Sequence, residues 1–340
     1  MADPGMVVPP EIPPSQSPAP PPSNTVFRGP KGIRAGWRVL LFLALVAAVG
    51  LVIALVVGVT MALIHRGGPK PTFSFSPLSP AALSLQEGAM LICTVVAALI
   101  MARIEGRKFE QYGLPLRSAF GKDFWIGIVA GFASISGTLA GIAALGGFRL
   151  EGIATHGPVL ARAIVAWSLT FILVGLAEEF TFRGYLQYTL TTGIGFWPSA
   201  ILLSALFGLA HLGNPGESTP GLLSVVMFGL LFCLFLRRRG TLWWAVGFHA
   251  GWDWGQTFFY GVPDSGIPAQ HSLFGCSFNG PAWLTGGTVG PEASVFTPIV
   301  LAIVTIVFAN VYPQVRYRVD GETRTSDLGP QPAEGVGSTN

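Results

Sequence analysis

Charge is what this sequence has least of. Asp, Glu, Lys and Arg together make up 11% of its 340 residues, whereas hydrophobic residues make up 51%. Soluble domains carry about 25% charged residues, so a soluble globule is excluded. The alternation of a membrane barrel is also missing, because the apolar runs are continuous. Cysteine is scarce: Cys93, Cys233 and Cys276 show no CxxC or zinc-ribbon spacing and imply no disulfide framework. Cys93 and Cys233 fall inside apolar runs and read as packing residues. The first 25 residues hold nine prolines and neither Lys nor Arg. They lack the basic start and short apolar core of a cleavable signal peptide and read as a disordered leader. No internal repeat is found, which removes support for a carrier built from duplicated halves.

What remains is a succession of apolar runs, most near the length of about 20 residues that spans a hydrocarbon core. They cover approximately Val39–Ile64, Ala81–Ala102, Phe124–Gly147, Val159–Thr192, Trp197–Leu212, Gly221–Leu236, Leu242–Tyr260 and Val295–Val311. The expected fold is all-α, a polytopic membrane bundle of about eight transmembrane helices with both termini on one side. Basic residues orient it. Fifteen of the 20 fall on the side of the N-terminus, including Arg34, Arg38, Arg103, Arg107, Arg237, Arg238, Arg239 and Arg316, against Arg66, Lys70, Arg149 and Arg162 on the other. This predicts N-in and C-in. Trp37, Trp125, Trp243 and Trp244 near run ends are expected to anchor at the interface. The segment Phe109–Phe120 reads as an interfacial or plain connecting loop, and residues 261–292 as a Gly/Pro-rich external loop. The expected organisation is a leader (1–35), two helices with their connector (36–122), a catalytic core (123–312) and a flexible tail (313–340).

Ionisable side chains at membrane depth cost about 2.5–3.5 kcal/mol each on insertion scales and so point to function. The sequence reading places them in three groups: Glu178, Glu179 and Arg183 in the fourth run, His211 after Phe207 in the fifth, and His249 and Asp253 in the seventh. Glu179 and Arg183 are four residues apart, the spacing of a helical ion pair, while Glu178 is turned about 100° away and left free to react. His249 and Asp253 share a face in the same way. Glu178 and His211 lie at similar counts before and after Ile194, so a straight hairpin brings them level, about 24 Å from its turn. Taken with His249, this predicts a site in the cytoplasmic half of the bilayer. Two Glu, two His, an Asp and an Arg suit hydrolysis by a held water, with a carboxylate as base and imidazoles to hold the water, bind a metal or donate to an oxyanion. No Ser or Cys stands beside a His as a nucleophile would, Ser204 reads as packing, and the HExxH signature is absent.

In order, Glu178-Glu179…Arg183, Phe207…His211 and His249…Asp253 resemble the EExxxR, FxxxH and HxxxN/D motifs of the CPBP family of intramembrane proteases. That family includes the type II CAAX prenyl endopeptidases and the bacteriocin-immunity (Abi) proteins. The resemblance covers roughly residues 120–312. It implies an intramembrane endopeptidase acting on peptide or protein substrates with a membrane-proximal cleavage site. Catalytic roles fall to Glu178, His211, His249 and Asp253, with Glu179, Arg183 and Phe207 as support. Asp253 stands where eukaryotic members have Asn; an ionised carboxylate cannot donate a hydrogen bond to an oxyanion. The family's metalloprotease label leaves two versions open, a metal-free mechanism and one divalent metal (zinc) held by Glu178, His211 and His249. An integral protein of a bacterial cytoplasmic membrane is implied, with lipids as its surroundings and no nucleic-acid partner. The alternatives are a membrane immunity or scaffold protein that does not need the catalytic residues and a proton-coupled carrier using the Glu/His chain.

Overall fold

A computed structural model describes residues 25–29, 32–64, 79–214, 216–268 and 270–319. Most of the Pro-rich leader lies outside them, as do Lys31, Arg66, Lys70 and Arg324. The described chain opens with a small hairpin, β1 (Arg28–Gly29) and β2 (Gly32–Ile33), followed by α1 (Ala35–Ile64), α2 (Pro80–Glu105) and α3 (Lys122–Ala144). Strand β3 (Phe148–Ile153) precedes α4 (Gly157–Arg183), α5 (Tyr185–Ile194), α6 (Phe196–Ala210) and α7 (Thr219–Arg239). Then come α8 (Trp243–Asp253), prolonged by a π-helix (Trp254–Phe259), strand β4 (Phe274–Phe278), the short α9 (Ala282–Thr285) and α10 (Phe296–Val311). Among the described residues, six helical stretches are long and apolar enough to cross a membrane: α1, α2, α3, the joined α4–α5 (Gly157–Ile194), α6 with its following turn, and α7. The seventh apolar run forms a helix of 11 residues prolonged by the 6-residue π-helix, and the eighth a helix of 16 residues, both shorter than those six stretches.

Local chemistry sets the ends. Ser79 and Ser218 accept hydrogen bonds from the backbone N–H groups of Ala82 and Gly221, each at 3.3 Å, and a proline stands in the first turn of each helix. Gly184 ends α4 where the sequence reading continues one helix to Thr192. A Cβ there would lie 2.3 Å from the Phe180 carbonyl oxygen, so the chain turns at the one residue that has none. The Gly/Pro-rich loop of residues 261–292 also holds more order than its composition suggests, because β4 within it pairs antiparallel with β3.

The arginine-rich end of the bundle is held by polar contacts. Arg38 Nε donates to Glu105 Oε1 at 3.0 Å, Arg107 Nε to Glu105 Oε2 at 3.1 Å, and Arg38 Nη1 to Thr192 Oγ1 at 3.1 Å. Tyr185 also donates to Glu105. The chain after α10 returns to this end, where the N–H groups of Arg316 and Tyr317 bond the Arg237 carbonyl. Phe109–Tyr112 is a 3-10 turn packed against it, with Tyr112 fully buried on Tyr185 and Tyr188. Trp243 and Trp244 are not interfacial anchors. Both are buried, the first bonded to the Pro115 carbonyl and the second packed on Phe235 and Phe308, because α8 runs inside the bundle. Trp37 and Trp125 are exposed as expected.

Helix α8 is the centre of the arrangement. On one side the α3 and α8 backbones nearly touch: a Cβ at Gly131 would sit 2.0 Å from the Phe248 carbonyl oxygen, and one at Gly247 2.1 Å from that of Phe124. On the other side, α4 approaches α8 at Gly175. Small residues at helix crossings are how membrane bundles obtain close packing without a hydrophobic force between helices. Gly131→Ala is expected to destabilise the protein by about 1–3 kcal/mol through overpacking, lowering the thermal midpoint in detergent. Gly137→Ala, on the same helix with its nearest neighbour atom at 3.9 Å, is expected to be neutral or mildly stabilising.

Candidate active site

The crossing of α4 and α8 brings the expected acids and imidazoles together. Glu179 and Arg183, both fully buried, pair within α4 at 3.3 Å between Oε1 and Nη1. The Arg183 guanidinium lies 4.3 Å from the centre of the Phe207 ring, which explains why a phenylalanine stands there on α6. Space for this cation comes from α7, where a Cβ at Gly229 would fall 2.7 Å from Arg183 Nη2. The same Glu179 oxygen accepts from His249 Nδ1 at 3.0 Å. That bond fixes the ring, which stacks on Phe232 with centroids 5.3 Å apart, and turns Nε2 toward Glu178 Oε2 at 3.6 Å and Asp253 Oδ2 at 3.4 Å. His211 ends α6, and its Nδ1 pairs with the Phe207 carbonyl at 2.8 Å. A carbonyl only accepts, so Nδ1 carries the hydrogen and neutral His211 leaves Nε2 as an acceptor.

Glu178, His211, His249 and Asp253 line one cavity of about 380 Å³. Glu178 Oε2 has no hydrogen-bond partner among the described residues. His249 lies six residues into α8, about 9 Å from the arginine-rich end. From there the cavity reaches away from that end, to Asp264, Ser265 and Ile267 after α8 and to Glu292 ahead of α10. Those residues belong to the loop segment read as external and to its border. The hairpin that carries Glu178 is not straight, because α4 ends at Gly184 and α5 is a separate helix.

The sequence reading missed three acids. Glu87 of α2 is 3% exposed and lines the cavity, inside an apolar run where its charge was the available signal. Asp264 and Glu292 lie in the Gly/Pro-rich segment, where no periodicity marks a buried side chain. Thr257 donates to Asp264 at 2.8 Å, and both the N–H and hydroxyl of Ser265 donate to Glu292, at 3.0 and 3.2 Å. Among the described residues, no three His, Cys, Asp or Glu side chains are grouped as metal ligands would be. His211 and His249 each turn Nδ1 to an oxygen acceptor, the Phe207 carbonyl and Glu179, which leaves Nε2 as the nitrogen each can offer to the cavity. All three cysteines are free.

Fold and site together define a polytopic helical membrane protein with an acid–imidazole centre inside its bundle. Residues 160–255 match the family model described as type II CAAX prenyl endopeptidase Rce1-like, a domain of the family that the three motifs resemble. The match takes in Glu178 through Asp253 and supports membrane endopeptidase as the kind of function; Glu87, Asp264 and Glu292 fall outside it. No curated protein matches the chain.

Two consequences follow for stability. Arg183→Leu strands Glu179 without its cation and is expected to cost about 3–5 kcal/mol, read as loss of folded protein in detergent. Burial, followed by the nearby Asp264, pushes the Glu292 carboxyl up to about 8, with the Ser265 hydrogen bonds opposing and Glu217 adding to the rise. Burial pushes Asp264 up to about 6 against the pull of its Thr257 hydrogen bond. The folded state therefore holds protons that the unfolded state has lost, and stability falls as pH rises from about 5 to 8. Glu292→Gln keeps an acceptor for Ser265 and is expected to flatten that fall, measured as thermal midpoints at pH 5.5 and 8.5.

Proposed function

We propose that the protein hydrolyses peptide bonds of membrane-associated substrates through a water held between Glu178 and His211. The observation that carries this reading is the shared cavity: Glu178 presents an oxygen that takes no hydrogen bond among the described residues, and His211 and His249 line the same space. A water between Glu178 and His211 Nε2 would give one hydrogen to each acceptor and aim its oxygen at a carbonyl carbon. As the carbon–oxygen bond forms, Glu178 takes the proton; as the carbon–nitrogen bond breaks, Glu178 delivers it to the leaving amine. His249, held through Nδ1 by Glu179, points Nε2 into the site. Protonated there, it is the donor available to the oxyanion, with Asp253 orienting it and balancing its charge. This gives Asp253 a role that needs no hydrogen to donate. No step is routed through a metal.

The reading extends to organisation. The catalytic core of residues 123–312 gains α2, whose Glu87 faces the cavity. The arginine-rich end, with the start of α1 and the segment after α10, faces the cytoplasm.

Purified protein in nanodiscs is to be assayed by mass spectrometry on acylated peptides. Glu178→Ala and His211→Ala are each expected to lower turnover at least about 100-fold while the thermal midpoint holds. Wild-type turnover by either variant overturns the mechanism. Exhaustive chelation is expected to leave turnover intact; loss restored by zinc would replace the metal-free version.

A further inference from the structure

Among the described residues, the cavity is lined by five carboxyl side chains, Glu87, Glu178, Asp253, Asp264 and Glu292, and by no Lys or Arg. Arg183 is bound to Glu179 and is not part of the lining. Two of the five, Glu178 and Glu87, have an oxygen without a hydrogen bond among the described residues, and the mechanism above uses only Glu178. Glu87 is 3% exposed; its Oε1 accepts from Gln86 Nε2 at 3.2 Å, and its Oε2 has no hydrogen-bond partner among those residues. A buried carboxylate oxygen without a donor is costly and is normally satisfied. Inside an established fold, such an oxygen on a cavity wall marks the place of a donor that arrives with a ligand. Glu87 also faces the site from α2, outside the stretch shared with the protease family, so it is a feature of this chain rather than of that match.

We propose that this acid-lined cavity selects peptides bearing a lysine or arginine side chain beside the bond to be cut, and that Glu87 is the residue that receives it. The inference rests on the endopeptidase reading above and adds the substrate class to it. An ammonium or guanidinium group brings several N–H donors and no acceptor, which is what the Glu87 oxygen and a wall of carboxyl groups can receive. Charge-assisted bonds of this kind discriminate about tenfold or more between a cation and a neutral isostere.

The test uses the full chain in nanodiscs and two pools of N-acylated, internally quenched peptides. The pools differ only in whether the positions flanking the centre hold Lys and Arg or Gln and Met. Wild type is expected to cleave the Lys/Arg pool with a kcat/KM about tenfold higher. Glu87→Gln should bring the ratio of the two pools close to one, mainly through KM on the Lys/Arg pool. Glu87→Asp, which keeps the charge, should retain part of the preference. A wild-type ratio near one overturns the proposal even if Glu87→Gln fails to fold, and so does a ratio that survives in a folded Glu87→Gln. Cleavage that depends on Glu178 without a cationic preference sinks this inference alone. No cleavage of either pool sinks it together with the endopeptidase reading.

Discussion

A single buried ion pair organises this protein. Glu179 and Arg183 face each other within one helix where neither is exposed, and removing either leaves a charge with no water to answer it. The surrounding structure accommodates the pair: a phenylalanine face lies against the guanidinium, a glycine on α7 makes room for it, and the imidazole of His249 shares its carboxylate. The pair therefore links α4 to α6, α7 and α8, the helices that carry the other expected site residues. It also frees Glu178. With its neighbour committed to Arg183 and His249, the adjacent carboxylate is turned into the cavity with an oxygen to spare.

The positions of these groups depend on how closely α8 is approached from both sides. His249 and Asp253 project from a helix whose backbone meets α3 through Gly127, Gly131, Gly247 and Gly251, and meets α4 at Gly175. In a bilayer, close backbone contact replaces the hydrophobic force that holds helices together in water. Acid and imidazole are consequently fixed by main-chain packing rather than by flexible side chains, a suitable basis for holding a water at a set distance from two acceptors.

Much of this was legible beforehand, for definite reasons. Charge is so costly in lipid that Glu178, Glu179, Arg183, His249 and Asp253 stand out against apolar neighbours, and helical spacing tells which of them share a face. The same logic applied to Glu87, whose run was read for its length and not for its one acid. The break at Gly184 was hidden because hydropathy does not change there; only the clash that a Cβ would make with Phe180 reveals it. Trp243 and Trp244 were misplaced because a tryptophan at the end of an apolar run looks the same whether the run faces lipid or other helices. Asp264 and Glu292 were beyond pattern reading, since their burial comes from a loop folding back onto the cavity.

The π-helix that follows Asp253 has a consequence for how the sequence tolerates change in length. Its wider turn holds the stretch in which Trp252 donates to Gln256 at 2.7 Å, Gln256 to the Pro263 carbonyl at 2.7 Å, and Thr257 to Asp264. The wider turn takes up one extra residue, so deleting one between Trp254 and Phe259 would restore ordinary helical winding and leave the chain beyond pointing nearly the same way. The loss would be local: a deletion at Gln256 or Thr257 removes a member of this relay, and Asp264 or Pro263 loses its hold with every side chain on α8 still in place. The extra residue is thus what lets one turn of helix serve both the bundle and the loop that closes the cavity.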